Sequence, residues 1–124
     1  MKTDAQEFVG ILFMSRDYAH SAHLNTSSYA QHMALNAFYD EIVELADKFA
    51  EAYMGRTGKK IGPIASIKSP QGEPDKVLRR HMEVIEDTRD FVDAKDTPLN
   101  NILDEIVGVY LSTLYKLDQL KWDA

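Results

Sequence analysis

The sequence predicts an all-α protein, a four-helix bundle forming one domain over residues 1–124. Two observations carry this. Apolar residues recur at spacings of three and four in four separate segments, the signature of amphipathic helices. Between the second and third segments, Gly55, Gly58, Gly62, Pro63, Pro70 and Gly72 rule out a continuous helix and mark one long connection.

The first helix is expected near residues 4–24. Thr3 and Gln6 have capping-box spacing, and Phe8, Ile11, Leu12, Tyr18, Ala19 and Ala22 form its apolar stripe. The second is expected near 28–54. Ser28 and Gln31 can cap it, and Leu35, Phe38, Ile42, Leu45, Ala46, Phe49 and Tyr53 make the clearest amphipathic run in the chain. Gly55 reads as its stop. The third helix, near 74–93, opens on Pro74, which suits a first helical position, and buries Val77, Leu78, Met82, Ile85 and Phe91. The fourth, near 98–121, opens on Pro98 and carries Leu99, Ile102, Leu103, Ile106, Tyr110, Leu114, Leu117 and Leu120. Short first and last links make two antiparallel hairpins. The long middle link lets the pairs pack with one crossover, the connectivity of ferritin-like bundles, with an up-down-up-down bundle as the alternative.

Composition narrows the function. The chain has no cysteine, so neither a disulfide framework nor a thiolate metal site is available, which suits a cytoplasmic protein. No apolar stretch approaches the length of a transmembrane span, and the opening MKTDAQEF lacks the order of a secretory signal. A net charge of −6 gives no general attraction to nucleic acid or anionic lipid. Lys59, Lys60, Arg79 and Arg80 are short basic pairs, read as solvated. No phosphate-binding glycine loop or local Ser–His–acid motif is present.

The candidate chemistry lies in the first half of the chain. His20, His32, Asp47 and Glu51 read as H-x11-H-x14-D-x3-E, two imidazoles and two carboxylates suited to a divalent iron or zinc ion. Asp47 and Glu51 are one helical turn apart and share a face. The turn near Leu24 to Thr26 puts His20 and His32 at similar heights on antiparallel helices. His32 lies 15 residues before Asp47 on the same helix, roughly 22 Å along its axis. One chain cannot close a site from all four. A second copy, antiparallel across a two-fold axis, would bring His32 of one chain to Asp47 and Glu51 of the other and make two such sites. The polar stripe His32, Asn36, Asp40, Glu44, Asp47 and Glu51 would line that seam, although Asp40 and Glu44 also fit a solvated face. His23 and His81 read as surface or hydrogen-bonded histidines rather than ligands.

The order and spacing of these four residues resemble the ferroxidase site of the Dps family, the small twelve-subunit relatives of ferritin. The run DKFAE (Asp47 to Glu51) resembles that family's Asp-x-x-Ala-Glu segment, Tyr29 stands where an aromatic is common, and AKDTPLNNIL (Ala94 to Leu103) is similar to its third-to-fourth-helix junction. The resemblance implies His20 and His32 as ligands from one subunit, with Asp47 and Glu51 from its dimer mate. It implies Fe(II) as the ion, with zinc or another divalent metal as an alternative, and oxidation by peroxide or oxygen. It also implies a homo-oligomer, at least a dimer and in the family a dodecamer able to store ferric iron. The sequence departs from the family at Asn36, usually an Asp, at Ser21, often a Trp, and at Ala52, often an Arg. No Lys-rich tail precedes the first helix, so DNA binding is not expected. The alternative is a non-enzymatic ferritin-like module that oligomerises or binds a partner and keeps the four residues as a structural polar seam.

Overall fold

The structure, a computed structural model, describes residues 4–121. It contains four α-helices: α1 (Ala5–Asn25), α2 (Tyr29–Thr57), α3 (Pro74–Thr88) and α4 (Thr97–Gln119), with a single 3-10 turn (Arg89–Phe91) after α3. No helix among the described residues is long and apolar enough to cross a membrane.

Local chemistry sets the helix ends. Asp4 caps α1, its carboxylate accepting from the Glu7 amide at 2.9 Å; the Thr3 half of the expected capping box lies outside the described residues. Ser28 caps α2 through the Gln31 amide at 3.0 Å, as the sequence predicts. α2 does not stop at Gly55. It continues to Thr57 and ends on Gly58, whose φ of 72° is the left-handed conformation that glycine adopts at least cost. Gly55 is an exposed helical residue with no such conformation to supply. Pro74 opens α3 as expected, but that helix closes at Thr88, and Phe91 packs from the 3-10 turn instead. Asp96 caps α4.

Side-chain contacts fix the directions of the helices. Phe8 meets Phe49 at one end of the α1–α2 pair and His23 meets His32 at the other, so the two are antiparallel. α4 runs against α2: Arg56 pairs with Asp96, Lys48 with Glu105, and Phe38 packs on Tyr110. α3 runs against α1, with Ser15 bonded to His81 and Phe8 packed on Phe91. It also runs against α4, since Arg79 pairs with Asp118 and Arg89 with Asp104.

α2 and α3 are therefore parallel, and residues 58–73 must travel the length of the bundle. They do so along α1. Gln6 at the start of α1 donates to the Pro63 carbonyl, and Tyr18 near its end donates to the Gly72 carbonyl at 2.6 Å. Gly10, between them, leaves room for Ile64 and Ile67; a Cβ there would sit 3.3 Å from Ile67 Cδ1. The up-down-up-down alternative is excluded by this path. The core is one continuous cluster running from Phe8, Phe49 and Leu103 through Ile42, Leu78 and Ile85 to Tyr110 and Leu114.

Candidate metal-binding face

The α1–α2 hairpin gathers three histidines near its turn. His23 and His32 stack with ring centroids 3.7 Å apart and planes 18° from parallel. Each ring bonds the other residue's backbone: His23 Nδ1 to the His32 carbonyl and His32 Nδ1 to the His23 carbonyl, both at 2.8 Å. A carbonyl can only accept, so both Nδ1 atoms carry hydrogen. In the neutral rings Nε2 then holds the free lone pair, the arrangement of a histidine ready to ligate a metal. The His23 carbonyl belongs to the last turn of α1, where carbonyls lack helical partners, so the His32 ring also serves as a cap.

His20 takes a different partner. It is exposed and stacks on Tyr39 at 4.3 Å, with His23 6.1 Å away. The Tyr39 hydroxyl donates to Asn36 Oδ1 at 2.7 Å and the ring meets His23 edge-on. The hairpin thus sets His23, not His20, directly against His32. The expected level pairing of His20 with His32 is shifted by one turn, because helix geometry and the Thr26–Ser28 turn bring residues 23 and 32 opposite one another. Asn36, the departure noted in the sequence, orients Tyr39.

Asp47 and Glu51 are exposed on the outer face of α2 and make no hydrogen bond or ion pair among the described residues. Among those residues no three His, Asp or Glu side chains converge as a metal-ligand group within the chain. Tyr29 (70 % exposed) and Met33 (48 % exposed) lie on the same outer stripe of α2 as Asp40, Glu44, Asp47 and Glu51, since spacings of 4, 7 and 11 residues return to one helical face.

A second polar cluster escapes sequence reasoning because its members lie on four different elements. Tyr110, fully buried, donates to Ser15 Oγ at 2.6 Å; Ser15 Oγ contacts His81 Nδ1 at 2.8 Å; His81 Nε2 contacts Ser69 Oγ at 3.1 Å; and Ser69 donates to the Pro70 carbonyl at 3.1 Å. Burial pushes the His81 imidazole down to about 4 and raises the Tyr110 phenol above its usual range. Burial also raises Tyr18 to about 12, helped by the nearby charges of Glu73 and Asp75.

Residues 23–117 match a family model described as a family of unknown function, DUF5856. The chain belongs to the DUF5856 family. The matched span of this DUF5856 protein takes in His23, His32, Asp47, Glu51 and His81 and leaves His20 and Ser15 outside. An uncharacterized 14.6 kDa protein from the mobD–ri intergenic region of Enterobacteria phage T4 is 30 % identical over 113 residues, covering 91 % of this chain and 87 % of the relative. No solved structure matches the chain.

Proposed function

We propose that this DUF5856 protein is a ferritin-like, Dps-like metal protein that takes Fe(II) as substrate at sites shared between two copies of the chain. The observation that carries the reading is the His32 ring: Nδ1 is tied to a carbonyl, Nε2 is left as a donor, and Asp47 and Glu51 stand unpaired on the same helix. The crossover connectivity supports the ferritin-like part of the reading. In this reading His20 and His32 supply nitrogen donors. The partner chain's copies of Asp47 and Glu51 supply negative charge that offsets the cation, and bound Fe(II) would give up an electron to peroxide or oxygen. Tyr29 and Met33, exposed beside the carboxylates, would be covered by the same antiparallel contact.

The donor set fits a divalent ion only across two chains, so dimer and metal stand together. Metal content should be read on protein purified without chelators, with thermal midpoints measured with added Fe(II) and Zn(II). A rise in midpoint that is lost in His32→Ala and Asp47→Asn, with light scattering showing at least a dimer, supports the reading; binding at a hundred times Kd is worth about 2.7 kcal/mol. A stable monomer whose midpoint ignores both metals overturns it. A second reading has its own observation: the reciprocal His23–His32 bonds close the hairpin with no metal. In that reading the module is non-enzymatic and acts by oligomerising, and His32→Ala lowers stability equally with and without metal.

A further inference from the structure

The buried chain through His81 has no part in the metal reading, and its direction can be worked out. The Tyr110 hydroxyl hydrogen goes to Ser15 Oγ. Ser15 must then send its own hydrogen on to His81 Nδ1, so the neutral imidazole carries hydrogen on Nε2 and donates to Ser69, which donates to the Pro70 carbonyl. Every donor is used once and no buried side-chain polar atom among the described residues lacks a partner. The same ordering bars a serine-nucleophile role for Ser69, since Nε2 is a donor to it and not a base.

This chain ties the 58–73 connection to the interior at Ser69. Just outside lies an open cleft of about 590 Å³, walled on one side by residues 66–69, 71 and 72 and on the other by Tyr18, Ser21, Asn25 and Gln31. We propose that the 58–73 segment is a strap beside this cleft and that His81 is its catch: while neutral, the imidazole is anchored at Nδ1 by Ser15 and holds Ser69 through Nε2, and when Nδ1 takes a proton the Ser15 anchor fails, so that His81 leaves the core with Ser69 still bonded to it and the strap lifts. A proton on Nδ1 would face the Ser15 hydroxyl hydrogen. Ser15 would have to turn toward Tyr110, whose own hydrogen would then have no acceptor, and a charge would be left in the core. The groups facing His81 are Ser15 and Tyr18 from α1 and Ser69 from the strap, with Tyr110 from α4 behind Ser15, none of them charged at neutral pH. Asp17, Lys68 and Glu73 line the neighbouring cleft, but burial alone accounts for the low basicity of His81, which falls from 6.5 to about 4.

The test reads the strap by labelling of a single cysteine, Ile64→Cys, with a pyridyl disulfide, its rate divided by that of a free thiol at the same pH, and reads α2 and α4 by amide hydrogen exchange, at pH 7 and pH 4.5 in wild-type and variant backgrounds. Opening of the wild-type strap should rise by roughly fifty- to a hundredfold between these values, since the open form takes up the proton below 6.5 and the closed form only near 4. His81→Gln offers the same acceptor and donor without ionising, so its strap should stay protected at both values. Ser69→Ala should expose the strap already at pH 7, with the exchange of α2 and α4 unchanged. Equal acid opening in wild type and His81→Gln, or a wild-type strap that opens only together with α2 and α4, overturns the proposal.

Discussion

The two ends of the bundle are closed by different chemistry. At the end where α1 starts and α2 finishes, aromatic rings do the packing: Phe8, Phe49, Tyr53 and Phe91 meet with centroids 5.3–6.1 Å apart, and Arg56–Asp96 and Arg89–Asp104 clamp the rim. In the other half, histidines 23 and 32 at the α1–α2 turn and the His81 chain at mid-bundle take that place, and Leu24, Tyr29 and Met33 stay exposed. A ring cluster is held by area removed from water and has little directional demand. A hydrogen-bonded end holds only while each donor faces an acceptor. The first end should therefore carry stability, while the second is free to respond to protons and metals.

The strongest way to break this contrast is to remove a ring. Phe49→Ala should cost about 3–5 kcal/mol by lost burial and the cavity left behind, whereas His23→Ala, also buried, should cost about 1–2 kcal/mol as one hydrogen bond and its stacking are lost. Denaturant unfolding of both variants checks this, and equal losses would mean the ends are held alike. Next in size is Tyr110→Phe. It leaves Ser15 Oγ without its donor and should cost about 1–2 kcal/mol; because Ser15 is no longer forced to send its hydrogen to His81, the acid step in strap opening should move or broaden. The smallest change is expected for Arg56→Ala, which removes an exposed ion pair at the aromatic end. Its loss should shrink as salt is added. The Asp96 carboxyl is held below its usual value of 3.8, chiefly by its hydrogen bond to Arg56. Its contribution is therefore complete above 3.8 and fades as the pH falls through the lower folded value, whereas the His81 contribution is complete above 6.5 and fades on the way down to about 4. Thermal midpoints followed from pH 7 downward should show the histidine end weakening first.

Much of the scaffold was legible in the residues. Pro74 and Ser28 mark helix starts, and the Phe8, Leu35, Phe38, Ile42 and Phe49 spacings mark buried faces, because these are local signals repeated along one helix. Gly55 misled, since two glycines three apart compete for one stop and only the conformation of the chain beyond them decides for Gly58. The His20–His32 pairing was read to within a turn, and the exact height of an antiparallel neighbour depends on how residues 26–28 close. The Tyr110–Ser15–His81–Ser69 chain was not legible at all: its members are separated by up to 95 positions and no local pattern links a tyrosine on α4 to a serine in the connection.

The histidines differ in which nitrogen holds the hydrogen. His23 and His32 face carbonyls with Nδ1, while His81 receives a hydroxyl there and gives from Nε2. One nitrogen NMR spectrum of ring-labelled protein would thus contain both neutral tautomers as separate signal classes. Metal arriving at the hairpin would perturb the class with a bare Nε2, and release of the strap the class with a bare Nδ1, so the two devices report through separate signals in a single sample.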